Sequence, residues 1–210
     1  MQELPALAGV LAALTVGVVS PGPSFVMIAR TAVSSSRSNG LAAALGMGCG
    51  GVLFALAALL GLQAVLLAVP SLYLLLKVAG GIYLAYLGFR IWRSARQALV
   101  VQGESSGGGA SLPKSFVLGF VTQISNPKTA IVYASVFAAF LPPAPSLGFD
   151  FVLISMVYLI EAGWYSIVAL ALSSERPRRA YLRFKASVDR VAGGVMMLLG
   201  LKLVLSSQRA

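Results

Sequence analysis

The chain has 210 residues, 58% of them hydrophobic and only 10% charged, with a mean hydropathy of +0.88. A soluble domain carries about 25% charged residues, so this composition excludes an ordinary soluble fold and points to a membrane protein. The net charge of +10 would invite nucleic acid in a soluble chain, but here the placement of the charges argues for topology instead.

A helix crossing the ~30 Å hydrocarbon core needs roughly 20 apolar residues. Six segments meet that length, at about 4–30, 41–69, 72–92, 115–141, 148–172 and 188–206. The intervening stretches 30–40, 90–114 and 174–190 hold Arg30, Arg37, Arg90, Arg93, Arg96, Lys114, Arg176, Arg178, Arg179, Arg183, Lys185 and Arg190, whereas the alternate connections "AVPS" (68–71) and "PPAPSLGFD" (142–150) hold no basic residue. Basic residues collect in cytoplasmic loops, so six spans place both termini outside the cytoplasm. Nucleic acid is not expected as a partner; the lipid bilayer is.

The first segment opens with "MQELPAL", which lacks the basic start of a signal peptide. It then meets "SPGPS" (20–24). Proline has no N–H and its ring clashes with the preceding turn, so two prolines around a glycine predict a break. The second segment carries Cys49, the single cysteine, and "GMGCGG" (46–51), whose glycines suit close helix packing. The third contains "KVAGGIYLAYLG" (77–88) and is followed by "VQGESSGGGASLPK" (101–114), a hydrophilic linker. The fourth contains "ISNPK" (124–128), a second break, and the sixth contains "RVAGGVMMLLG" (190–200), an echo of the third. Chain organisation follows: a three-helix repeat over 1–97, a linker over 98–114 and a second repeat over 115–210. Three spans per half make the repeat inverted. Gly/Pro-interrupted helices at matched positions of an inverted repeat mark the binding site of many secondary transporters.

Each break alone is most simply a kink, and the pair is the informative signal. Pro23 and Pro127 suit the first position of a new helix, with Asn126 as a cap for the second. The exposed amides there favour an anion, with Lys128 adding a full charge. The carbonyls closing the preceding half-helices favour an ammonium group. A site with both ends fits a zwitterion, and Ser20, Pro21, Gly22, Pro23, Ser24, Asn126, Pro127 and Lys128 are its candidate residues. Glu161, in "VYLIEAGWYSIV", is a carboxylate near the middle of the fifth segment, where charge costs ~2.5–3.5 kcal/mol. It reads as a proton-coupling group, as a counter-charge for the substrate ammonium, or as one half of an ion pair with Lys128 or Lys77. Tyr158, Trp164 and Tyr165 lie on or beside its face. Without histidine and with one thiol, a zinc or copper site is hard to build. No cofactor is expected, and no nucleophile–base pair marks an enzyme.

The stretches "SPGPSF" (20–25), "GLAAALGMGCG" (40–50), "LLKVAGGIYLAYLGFR" (75–90), "GFVTQISNPKTAIVY" (119–133) and "DRVAGGVMMLLGLKL" (189–203) together resemble the LysE/RhtB family of small amino-acid exporters along almost the whole chain. The resemblance implies a six-helix exporter in the bacterial inner membrane, moving amino acids or their derivatives by proton antiport with alternating access. "PGP" and "NPK" take the family's two motif roles, and Glu161 is similar to an acidic position in its fifth helix. One departure stands out. Many members carry an acidic or polar residue at about Gly51 and a histidine at about Phe54, which shifts coupling weight to Glu161 here. Efflux of an inorganic ion and a non-transporting membrane assembly protein are the other readings open at this stage, and a homodimer is one arrangement open to the chain.

Overall fold

The computed structural model describes residues 3–20, 22–68, 72–97, 111–142 and 144–207. Pro21, most of the linker and the side chains of Lys77 and Pro127 lie outside the described residues. Among the described residues the fold is all-helical: α1 (Glu3–Val19), α2 (Pro23–Ser34), α3 (Arg37–Ala68), α4 (Leu72–Ser94), α5 (Leu112–Ile124), α6 (Pro127–Phe140), α7 (Leu147–Leu172) and α8 (Glu175–Ser207).

The first and fourth apolar segments are each two helices. α1 stops at Val19 and α2 restarts at Pro23, the pair bending by 54°. Gly22 stands as the cap of α2 in extended geometry. α5 stops at Ile124, and α6 restarts at Pro127 behind Asn126, whose side chain accepts from the Lys128 N–H at 3.0 Å. In both places proline occupies the first helical position, where a missing N–H costs nothing. By length and composition, α3 over Arg37–Gly61 and α7 are able to cross a membrane, and α1 with α2 is a third if counted as one span. The stretch 174–187, read from sequence as part of a basic loop, is instead the start of α8. Pro177 sits within the first turn, where it is tolerated, and no glycine or proline follows until Gly193.

Two apolar clusters build the interior. One gathers Val10, Leu14, Leu84, Val136, Phe137, Leu153 and Met196, and the other gathers Phe25, Ile28, Ala43, Met47, Val168 and Leu172. The outward faces carry Leu53, Leu60, Phe151, Leu159, Ile167 and Leu198, all exposed. So extensive an apolar exterior fits lipid rather than water. Glycines let backbones meet: a Cβ on Gly119 would collide with the carbonyl of Ala43, and one on Gly46 with the carbonyl of Phe116, so α5 lies directly against α3. α4 and α8 cross through Gly88 on Gly193 and Gly200 on Gly81.

Candidate functional site: two joined helix breaks around a buried carboxylate

The two breaks meet. Asn126 donates from Nδ2 to Ser24 Oγ at 2.9 Å, and Ser24 Oγ donates onward to Gln123 Oε1 at 3.0 Å. Lys128 donates from Nζ to the backbone carbonyl of Ser20 at 2.6 Å. Ser20, Ser24, Gln123 and Asn126 are all buried. Each bond runs between residues about 100 apart in sequence, so the start of α6 is fastened to the end of α1 and the start of α2. Gly22 contributes by having no side chain: a Cβ there would lie 3.3 Å from Lys128 Cδ and 3.5 Å from Nζ.

Lys128 therefore differs from its sequence expectation in one respect. Its ammonium is not left to a ligand anion but neutralises the carbonyl that closes α1. A carbonyl at a helix C-terminus carries partial negative charge, and a buried ammonium needs such acceptors.

Glu161 lies 1% exposed on α7 and accepts at Oε1 from the Tyr133 hydroxyl of α6 at 2.9 Å. No ion pair joins it to Lys128, and the Lys77 alternative falls outside the described residues. Its second oxygen, Oε2, has no partner among the described residues, and neither has Nε2 of Gln123. Two glycines of α3 leave room for this pair of side chains. A Cβ on Gly51 would sit 2.9 Å from both Glu161 Cγ and Tyr133 Oη, and a Cβ on Gly50 would sit 2.7 Å from Gln123 Cβ. Phe54, one turn on, packs its ring 5.6 Å from that of Tyr133. Gly51 and Phe54 are thus the wall against which Glu161 and Tyr133 rest.

A small cavity of ≈ 20 Å³ lies among these groups, lined by Ser20, Ser24, Asn126, Lys128, Tyr133, Glu161 and Tyr165 on its polar side and by Leu14, Val18 and Val132 on its apolar side. It sits where the two core clusters meet. Next to it, reaching Ser20, Gly22 and Lys128 from the basic end of the molecule, is a vestibule of ≈ 880 Å³ between the α4–α8 pair and the starts of α2 and α6.

Tyr165 joins the site, whereas Tyr158 packs its ring by Gly48, and Trp164 is half-buried against the second core cluster. Sequence reasoning passed over Gln123, Tyr133 and Asp189. A glutamine one residue from the end of an apolar half-helix was the available signal for the first. Tyr133 and Asp189 gave none, since their roles depend on which helix faces which.

The residues 15–207 match the family model of the LysE type translocator, and the chain belongs to that family. It is 31% identical over 192 residues to a threonine efflux protein of Escherichia coli, spanning 91% of this chain and 93% of that one. An uncharacterized membrane protein of Haemophilus influenzae is 28% identical over 191 residues, 90% of each chain. A leucine efflux protein of an Enterobacter strain is 24% identical, over 87% of this chain and 85% of its own. No solved structure matches the chain.

Proposed function

We propose that the chain exports amino acids or their derivatives across the bacterial inner membrane, as a secondary carrier with its central site at the two joined breaks. The observation that carries this reading is the pair of bonds Asn126 to Ser24 and Lys128 to the Ser20 carbonyl. They bring two helix N-termini and one helix C-terminus to one buried point. The substrate carboxylate is received by the α2 and α6 N-termini, and the ammonium by Glu161. Glu161 is also the group placed to carry a proton, because its Oε2 has no hydrogen-bond partner within bonding distance among the described residues.

Support for six spans arranged as two inverted repeats comes from packing that the exchange of halves preserves. α1 meets α6 as α2 meets α5, and α2 meets α7 as α3 meets α6. Gly88 on Gly193 has its counterpart in Gly200 on Gly81. The basic ends of α2, α4 and α8 then face the cytoplasm, and both termini face away from it. With the vestibule on that side, the conformation described is open to the cytoplasm, and alternating access closes it.

The test is amino-acid efflux from dipeptide-loaded cells for the wild type, Lys128→Ala and Glu161→Gln at matched expression. Loss of one exported compound in both variants is expected. Wild-type efflux no greater than that of an empty vector contradicts amino-acid export and leaves ion efflux or a non-transport role.

A further inference from the structure

The small cavity of ≈ 20 Å³ has room for about one water molecule. Even the smallest amino acid is larger than that, so in this conformation the vestibule has room for a substrate and the small cavity does not. The vestibule wall contains a feature that the central site does not use. Asp189 of α8 is 4% exposed, yet it lines this cavity together with Ser20, Lys128, Arg90 and Arg93. Its Oδ2 accepts from Lys185 Nζ at 2.8 Å, and Lys185 also donates to the Ala95 carbonyl near the end of α4. Asp189 Oδ1 has no partner among the described residues.

A buried carboxylate oxygen without a donor is costly, more so in a low-dielectric wall. The surrounding charges narrow what completes it. Lys185 satisfies one oxygen only, while Arg90 and Arg93 leave the cavity rich in positive charge. A ligand with one ammonium for Oδ1 and one carboxylate for the arginines matches both. We infer that Asp189 and the Arg90–Arg93 edge form a loading site in the vestibule, where the exported zwitterion is held before it reaches the joined breaks. Lys185 positions the Asp189 carboxylate by fixing its other oxygen. The inference rests on the amino-acid reading above and adds a second site to it.

The experiment is concentration-dependent transport of a labelled amino acid into inside-out membrane vesicles, whose outer surface is the cytoplasmic face. Asp189→Asn removes the charge facing the ammonium. The half-saturating concentration should rise about tenfold, with the maximal rate within about twofold of wild type. Lys185→Met keeps the carboxylate charge but frees its Oδ2, and should raise half-saturation by less than Asp189→Asn does. The α-hydroxy acid of the same substrate, which lacks the ammonium, should compete equally well in wild type and Asp189→Asn.

A purely structural ion pair gives a different pattern: both variants lose folded protein together and half-saturation stays fixed in what remains, which overturns the loading site. Should Asp189→Asn itself fold poorly, the neutral pair Lys185→Gln/Asp189→Asn takes its place, and unchanged half-saturation there is equally contrary. Wild-type vesicles that move no amino acid defeat the export reading as well. Wild-type transport with an unaltered Asp189→Asn defeats the loading site alone.

Discussion

At the scale of single residues, the site is made as much by absent side chains as by present ones. Gly51 gives up its Cβ so that the Tyr133 hydroxyl reaches Glu161. Gly51→Ala should push that hydroxyl off the carboxylate and lower export about tenfold, with folded protein still produced; efflux and detergent-extracted yield are the measurements. Gly61, with nothing within 4 Å of its Cβ position, is the control, and Gly61→Ala should export normally. Lys128 makes a charge-assisted bond of a type worth about 1.5–3 kcal/mol. Lys128→Ala loses that bond across the breaks, so export per folded molecule should fall about tenfold or more and the yield of folded protein should fall with it.

At the scale of elements, the breaks were legible in the sequence because their cause is local. Pro21, Pro23 and Pro127 lack the N–H that a continuing helix needs, and Asn126 offers a cap in place of one. Their partnership was not legible. That Asn126 reaches Ser24, or that Gln123 completes the chain, depends on how α5 lies along α3 through Gly46, Gly50 and Gly119. The helical start of α8 is not legible for the opposite reason: a basic stretch reads as a loop although its residues form helix well. Asn126 has two functions that a substitution can separate. Asn126→Ser keeps a side-chain cap for α6 but loses the Nδ2 donor to Ser24, so melting should shift little while export falls severalfold. Asn126→Ala loses both and should also destabilise by about 1 kcal/mol. Gly119→Ala tests helix contact without touching the site. Its methyl collides with the Ala43 carbonyl, and a loss of about 1–3 kcal/mol in detergent stability is expected. Gly163→Ala, in open space, should be neutral.

At the scale of the whole molecule, the two halves that we propose to be inverted repeats are not equivalent in packing. α4 lies against α6, while α8, its counterpart, makes no comparable contact with α2 among the described residues. The vestibule is that missing contact, and it opens at the end where Arg90, Arg93 and Lys185 gather. The opposite end is held by Glu3, which accepts from the Ser146 N–H at 2.7 Å and from its hydroxyl at 3.0 Å at the start of α7. Orientation is tested on a Cys49→Ser background. Ala144→Cys should be labelled from outside intact cells, and Ser35→Cys only in inside-out vesicles; the reverse pattern inverts the topology.

The most direct measurement is counterflow of a labelled amino acid in proteoliposomes containing this protein alone, comparing wild type with Lys128→Ala. Accumulation of label by wild type against an internal pool of the same amino acid, and its absence in Lys128→Ala, is the predicted result. Equal counterflow by both proteins would contradict the joined breaks as the transport site, and none by wild type would contradict amino-acid transport itself.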